Sequence, residues 1–252
     1  MSPFLAGLFF ITAILYAAVG FGGGSTYNAL LVLYGVDYRI LPAIALACNI
    51  VVVSGGVWRF SKAGELESNR LTPYLVASVP AAWVGGQLAI DETLFIGLLG
   101  MALLASGLRL LFIPSIKNGV TTKRNRLWLA VLIGGSIGLL SGIVGIGGGI
   151  FLAPALYLMG WGTARQIAGA CSLFILLNSL SGLAGQLTNL DDLALMTEAV
   201  SYWPLLLVVL IGGQIGSWLG AAQLRADWMK RATAILILYV ACRLLWRWTT
   251  MI

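Results

Sequence analysis

The sequence has no histidine and few charged residues, and both shortages restrict what the chain can do. Only 10% of its 252 residues are charged and 60% are hydrophobic. The mean hydropathy is +0.96. The apolar share of a soluble domain is about half, so this composition indicates a membrane protein. The absence of histidine removes the commonest metal ligand and the usual proton switch.

Cysteine and acidic residues are also scarce, and their positions matter as much as their number. The three cysteines, Cys48, Cys171 and Cys242, lie in apolar runs without the spacing of metal ligands, so we interpret them as packing residues. All nine acids lie in loops or at the ends of apolar segments. Coupled carriers commonly hold a carboxylate at membrane depth. Since no nucleophile–base pair stands out either, we expect no enzyme, no metal and no cofactor.

Ten apolar segments fill the chain from end to end. They span residues 3–19, 25–36, 40–60, 71–90, 94–113, 127–144, 150–161, 166–187, 199–220 and 229–248. The second and the seventh are too short to cross a bilayer alone. The predicted fold class is all-α, a polytopic integral membrane protein. We expect the first segment to be a membrane helix and not a signal peptide, because it lacks a basic leader and a cleavage site.

Basic residues predict how the segments are oriented. Four of them lie in residues 114–126, which makes this linker cytoplasmic by the positive-inside rule. The loops at 61–70 and 221–231 are then cytoplasmic, the loop at 188–198 lies on the other side, and both termini are periplasmic. The net charge of +6 comes from these short loops and does not indicate binding of nucleic acid.

One short motif occurs twice, about half a chain apart. Residues 20–24 (GFGGG) are repeated as residues 145–149 (GIGGG), at an offset of 125 residues. Glycine destabilises a helix by about 1 kcal/mol per residue, so each motif should break a helix. A broken helix in each half of a duplicated chain is the best sequence indication of a transporter's binding site. Close helix packing through small residues is the alternative interpretation.

Further matches support a duplication of the chain. Residues 84–88 resemble 211–215, and Ser54-Gly55 aligns with Ser181-Gly182. Five segments in each half, an odd number, give the halves opposite orientations, as an inverted repeat requires. Each glycine-rich pair could form either a re-entrant hairpin or a broken crossing helix. The predicted parts are a first transmembrane repeat at 1–113, the cytoplasmic linker at 114–126 and a second repeat at 127–252.

The candidate substrate-binding groups are neutral hydrogen-bond donors in and near the two motifs. A helix N-terminus presents free N–H groups and about half a positive charge, which favours an oxyanion. Bonds between helices are the alternative role for each buried polar side chain. The candidates are Gly22, Gly23, Gly24, Ser25, Thr26, Asn49, Ser54, Gln87, Gly147, Gly148, Gly149, Ser172, Asn178, Ser181 and Gln214. Arg59 ends a segment on the predicted cytoplasmic side, where an anion would enter.

Residues that follow the second motif add a family resemblance. Pro154 stands five residues after Gly149, and residues 170–174 (ACSLF) and 178–182 (NSLSG) come next. Together with the paired GxGGG motifs, these residues resemble the TauE/SafE family of membrane transporters. The first half departs from the pattern, because Asn28-Ala29 stands where the second has Ala153-Pro154. The resemblance implies export of sulfite or of organosulfur anions such as sulfoacetate, or uptake of related compounds.

These observations predict a carrier of small anions in the bacterial inner membrane. Export of an anion from a negative interior needs no coupling ion, since each charge gains about 2.3 kcal/mol per 100 mV. We therefore expect electrogenic uniport with alternating access. An anion channel, an importer of a related anion and a membrane assembly factor are the alternatives. The expected partners are the small anion and the lipid bilayer, for a chain that acts as a monomer or a homodimer.

Overall fold

The structure is a computed structural model that describes residues 2–112, 127–188, 193–221 and 226–251. Helices form most of this part of the chain, which contains no strand. The all-α prediction is confirmed, and the predicted linker 114–126 lies outside the described residues. The helices are α1 (Pro3–Ala18), α2 (Gly24–Leu33), α3 (Leu41–Lys62), α4 (Ser68–Gln87), α5 (Glu92–Phe112), α6 (Leu127–Val144), α7 (Gly149–Leu158), α8 (Ala164–Leu187), α9 (Leu193–Ser201), α10 (Pro204–Ala221) and α11 (Ala226–Met251).

The predicted segment at 199–220 is divided between two helices. α9 and α10 meet at a bend of 41°, and Pro204 is the first residue of α10. Proline suits the first position of a helix, where its missing N–H would have no partner, but it disfavours helical geometry in the residue before it. The prediction of a loop at 188–198 is therefore wrong from residue 193 onwards.

Several helices are suited to crossing a membrane. α3, α6 and α8 are each long and apolar enough to span it alone, with mean hydropathies of 1.9, 2.1 and 1.8. α9 and α10 together give a fourth candidate, whereas α1 and residues Glu92–Leu108 are apolar but shorter. Length and composition thus support a multi-pass membrane protein, with fewer independent spans in the described part than the ten apolar segments.

The main helix contacts occur in matching pairs. α1 packs on α10 as α6 packs on α4, and α3 packs on α10 as α8 packs on α4. α3 also contacts α8, and α5 contacts α11. Glycines allow these close approaches: a Cβ on Gly138 would lie 2.6 Å from the Cα of Ser78, and one on Gly216 2.8 Å from the Cα of Ile14. Small residues serve this purpose in membranes because tight packing holds the helices together.

Charged side chains gather at one end of the helix bundle. Asp37, Arg39, Glu92, Glu198 and Arg247 line a cavity of about 480 Å³. Arg247 donates to Glu92 Oε1 (3.0 Å) and to the Val32 carbonyl at the C-terminal end of α2 (2.7 Å). The Arg39 guanidinium hydrogen-bonds to Asp37 and lowers the pKa of that carboxyl. The cavity therefore brings together parts of the chain that the loop charges predicted to lie on one side.

The loop after α3 meets the start of α8 at another polar cluster. Arg70 lies over the ring of Trp161, 4.7 Å from its centroid. Gln166 donates from Nε2 to Glu67 Oε1 (2.8 Å) and forms a capping box with Thr163. A capping box satisfies N–H groups that the helix itself leaves without partners. These contacts fix where α8 begins relative to α4.

Candidate functional site

Both glycine-rich motifs interrupt a helix and begin a new one, as the sequence predicted. α1 ends at Ala18 and α2 begins at Gly24, while α6 ends at Val144 and α7 begins at Gly149. The residues before α2 and α7, Gly23 and Gly148, have φ angles of 89° and 79°. Residues with a Cβ rarely adopt such angles. We call residues 19–23 the first break and residues 145–148 the second break.

The two breaks meet at the side chain of Asn49 in α3. The Gly24 N–H donates to Asn49 Oδ1 (2.8 Å), and Asn49 Nδ2 donates to the Ile146 carbonyl (3.1 Å). A Cβ on Gly147 would lie 2.9 Å from Asn49 Nδ2, so no larger residue fits there. Asn49 is 0% exposed. One amide thus joins α2, α3 and the second break inside the protein.

A second amide, that of Asn28 in α2, also links the halves. Asn28 Nδ2 donates to the Val144 carbonyl (2.5 Å) at the end of α6. The last carbonyls of a helix have no partner within it, and Asn28 satisfies this one. The sequence interpretation missed Asn28 as a site residue. The available signal was that an amide stands where the second half has Ala153.

The hydroxyls at the start of α2 are bonded within the protein. Tyr16 Oη lies 2.6 Å from Thr26 Oγ1 and 3.4 Å from Ser25 Oγ. On another side, Ser172 Oγ donates to the Gly20 carbonyl (3.1 Å). Three of these hydroxyl residues, Ser25, Thr26 and Ser172, are predicted site residues, and Tyr16 is their partner. The structure brings all four hydroxyls to the first break.

Two contacts between α3 and α8 are related to each other by an offset of 126 residues. A Cβ on Gly56 would lie 3.3 Å from Ser172 Oγ, and one on Gly182 would lie 3.4 Å from Leu46 Cδ1. Gly182 lies 126 residues after Gly56, and Ser172 lies 126 residues after Leu46. At the same offset Asn49 matches Ile175. The predicted match of Ser54-Gly55 with Ser181-Gly182 uses an offset of 127, one residue more.

The helix that follows the second break begins with apolar side chains where the helix after the first break has hydroxyls. Ile150 and Phe151 stand at the positions of Ser25 and Thr26. A Cβ on Gly149 would lie 2.5 Å from Ile175 Cγ1. In the part of the chain that the structure describes, no side chain caps the N-terminus of α7.

Two predicted site residues of α8 instead bind α8 to α4. Asn178 Nδ2 donates to the Phe174 carbonyl (2.8 Å) and to Ser78 Oγ (3.1 Å). Ser181 Oγ donates to the Val79 carbonyl (2.6 Å). The bonds to Ser78 and Val79 join two helices, which was the alternative role given above for each buried polar side chain.

Other candidates lie away from the breaks. Ser54 is exposed and its hydroxyl donates to the Ile50 carbonyl one turn earlier (2.5 Å). Gln87 is the last residue of α4 and is half-buried. The structure brings neither side chain into a hydrogen bond with the glycine-rich residues.

Arg59 is bonded to α10. Its Nη2 donates to Gln214 Oε1 (2.7 Å), and its Nη1 donates to Ser217 Oγ. Arg59 lies about 15 Å along α3 from Asn49, at 1.5 Å per residue. Arg59 and Gln214 therefore form a polar pair between α3 and α10 and not part of the glycine-rich centre.

Acidic residues do not contribute to this centre in the described part of the chain. None of the acids whose side chains are described there is buried, and no group of three or more His, Cys, Asp or Glu residues is close enough to hold a metal ion. Asp191, Asp192 and the side chain of Asp227 lie outside that part. The donors that surround the breaks are thus neutral amides, hydroxyls and backbone N–H groups.

An all-helical apolar protein in which two broken helices meet at a buried polar centre has the architecture of a membrane transporter. The family model described as "Sulfite exporter TauE/SafE" matches residues 5–244. The chain belongs to this family, as its motifs indicated.

Two relatives are also membrane transporters by name. The chain is 32% identical to the "Probable membrane transporter protein y4hK" of Sinorhizobium fredii over 245 residues, which cover 96% of this chain and 97% of the relative. It is 26% identical to the "Probable membrane transporter protein MJ0441" of Methanocaldococcus jannaschii over 195 residues, 74% of this chain and 72% of the relative. No solved structure gives a significant match to the chain.

Proposed function

We propose that this protein exports a small sulfur oxyanion or organosulfonate, such as sulfite or sulfoacetate, across the bacterial inner membrane, and that it is not an enzyme. The observation that supports this most directly is the meeting of both helix breaks at Asn49, in a buried centre of neutral donors. N–H groups at helix N-termini favour anions. The family description, which names sulfite export, supports the substrate class.

The two halves act as an inverted repeat in this proposal, with alternating access produced by one half rocking against the other. The matched contacts of α1 with α10 and α6 with α4 support this relation. The basic linker at 114–126 supports cytoplasmic placement of that loop, which leaves both termini and the charged cavity on the periplasmic side. The working unit is a monomer or a homodimer.

Transport is driven by the membrane potential alone. The acids with described side chains are all outside the buried core, so a carboxylate for proton or sodium coupling is not among them. An anion that leaves a negative interior gains about 2.3 kcal/mol per charge and 100 mV, nearly fiftyfold in concentration ratio.

Counterflow in proteoliposomes tests the proposed function. Labelled sulfite, thiosulfate, sulfoacetate and taurine are supplied in turn, with protein-free vesicles as the control. At least one of the three sulfur anions should be exchanged. If none is exchanged by protein that is monodisperse, the substrate class is wrong.

The driving force is tested with a potassium-diffusion potential set by valinomycin. Efflux should rise as the interior becomes more negative, and it should not change when a proton or sodium gradient is imposed at fixed potential. Transport that requires either gradient at zero potential would contradict uniport.

A further inference from the structure

We propose that the anion is seated at the second break, where the hydroxyls of Ser141 and Ser179 join the N–H groups of Gly149 and Ile150. This inference rests on the proposed function and narrows its site from two breaks to one. It assigns the binding role to two serines that the sequence interpretation did not select, and it makes the site asymmetric although both breaks lead into a ten-residue helix through a glycine with positive φ.

The first observation concerns the two hydroxyls. Ser141 and Ser179 are each 0% exposed, and neither hydroxyl has a hydrogen-bond partner in the described part of the chain. Several other helical serines of this protein bond to a carbonyl one turn earlier, as Ser106 does to Ala102 (2.7 Å) and Ser136 does to Leu132 (2.7 Å). A buried polar group without a partner costs about 1–3 kcal/mol. Six buried polar side-chain atoms of the described residues lack a partner, and the hydroxyls of Ser141 and Ser179 are the two of them that adjoin the second break.

The second observation is where these side chains lie. A Cβ on Gly147 would be 3.0 Å from Ser179 Oγ, and one on Gly148 would be 3.5 Å from Ser141 Cβ. Both serines thus adjoin the glycines that lead into α7. α7 has ten residues and begins at Gly149, directly after these glycines, and the described residues provide no hydrogen-bond acceptor for the N–H groups of Gly149 and Ile150. The start of α7, the Ser179 hydroxyl and the Ser141 side chain therefore adjoin the same pair of glycines.

The first break lacks this combination. Tyr16 precedes the first motif by four residues, as Ser141 precedes the second, but its hydroxyl is bonded to Thr26 and Ser25. The Gly24 N–H is bonded to Asn49 Oδ1. Tyr27 Oη is a buried hydroxyl without a partner there, but it adjoins a helix start whose N–H is already capped. The donors left for a ligand are concentrated at the second break.

The chemistry of this cluster suits an oxyanion that is already ionised. Hydroxyl and backbone N–H groups donate hydrogen bonds to oxygen without gaining or losing a proton. Ile137, Phe174 and Ile175 surround the same glycines, and their apolar side chains lower the local dielectric, which strengthens each charge-assisted bond. A sulfonate or sulfite group meets this requirement, with its oxygens on the donors.

Single substitutions measured by titration of purified protein with sulfite and sulfoacetate test the inference. Ser141→Ala and Ser179→Ala should each raise the Kd about tenfold, since each removes one hydrogen bond to a charged group. Ser106→Ala removes a buried hydroxyl from α5 and is the matched control. Tyr27→Phe removes the unpartnered hydroxyl of the first break, and both controls should stay within about twofold of wild type.

The outcomes separate this inference from the proposed function. If wild type binds and exchanges the anion but Ser141→Ala and Ser179→Ala bind it as Ser106→Ala does, the seat is not at the second break. A loss of affinity in Tyr27→Phe alone would move it to the first break. If wild type exchanges no sulfur anion, the proposed function fails on its own. If an alanine variant aggregates, Ser179→Cys replaces it in the comparison. Cysteine is of similar size and keeps a weak donor, so the loss of affinity should be smaller.

Discussion

The two breaks end in the same way but differ one residue earlier, where Gly147 has a positive φ (81°) and Gly22 does not, and they differ in their surroundings. Each has a glycine with φ near 80–90° before a ten-residue helix. At the first, Asn49 caps the helix start and Tyr16 bonds the hydroxyls that follow. At the second, Ile175 stands in the place of Asn49 and Ile150 in that of Ser25. Both breaks expose the N-terminus of a helix. The surrounding side chains determine whether the N–H groups of that terminus are already hydrogen-bonded.

This difference suggests a division of labour between the halves. Asn28 and Asn49 both belong to the first half, and both donate to carbonyls at or beside the second break. The first half thus holds the backbone of the second break in place, while the second break keeps its own N–H groups uncapped. A site that is rigidly held and left without internal partners is preorganised for a ligand.

The largest expected effect comes from filling a break. Gly148→Val should lower the counterflow rate about a hundredfold, because a Cβ there would lie 2.7 Å from Ile137 Cγ2 and 2.9 Å from Phe174 Cε1 and overpacking costs about 1–3 kcal/mol in addition to backbone strain. Gly35→Val is the matched control, since Gly35 has φ +74° and nothing within 4 Å of its Cβ position.

Both variants must first be shown to be monodisperse by size-exclusion chromatography. The control should transport at close to the wild-type rate. Wild-type transport by Gly148→Val would mean that the close approach at the second break is not needed.

The next effect makes the first break resemble the second. Asn49→Ile removes the acceptor of the Gly24 N–H and the donor to the Ile146 carbonyl, so we expect the protein to lose about 2 kcal/mol of stability. The measurement is the midpoint of thermal unfolding in detergent. Asn49→Asp keeps an acceptor but buries an ionisable carboxyl, so it should also unfold below the wild-type temperature. An unchanged midpoint in Asn49→Ile would show that the amide does not hold the breaks together.

A third variant makes the second break resemble the first. Ile175→Asn places an amide beside Gly149, where its oxygen can accept the N–H that we assign to the anion. The KM for anion exchange should then rise about tenfold through this competition, as expected for a charge-assisted bond. Leu176→Asn, one position along α8, is the control. If the two variants have the same KM, the N–H of Gly149 is not part of the site.

The smallest effect on stability is expected at the first break, where the hydroxyls are already hydrogen-bonded. Tyr16→Phe removes the bond to Thr26 Oγ1, and hydrogen bonds between membrane helices contribute about 0.6 kcal/mol on average. A decrease in stability of that size, without a change in the Kd for sulfite, would fit a structural role. A large increase in the Kd would instead show that Tyr16 acts on the ligand and would weaken the contrast between the breaks.

Sequence predicted the helices and their breaks because those depend on local features. Glycine-rich residues cannot continue a helix cheaply, and the apolar runs have the length of membrane helices. The bend before α10 could also have been predicted, since Pro204 stands at its first position. The family followed from the same local motifs.

The roles of individual polar residues could not be predicted in the same way. A membrane helix is apolar on all sides, so no amphipathic pattern shows which face is buried. Ser54 and Ser179 are both serines inside apolar segments, yet one is exposed and the other is 0% exposed. The bond of Asn28 to Val144 was missed for this reason, and Ser181 was selected although it bonds to Val79. Whether a polar side chain is buried, and what it bonds to, depends on the residues of the neighbouring helix.

The bonds of Asn28 and Asn49 also have a consequence for how the protein is made. During synthesis the first half enters the membrane while the carbonyls of Val144 and Ile146 do not yet exist. Until then its two amides lack their final partners in a medium where an unsatisfied polar group is expensive. The first half alone therefore contains two buried amides without their acceptors and should be sensitive to proteolysis. It should become stable when the second half is present, either in the same chain or as a separately expressed fragment.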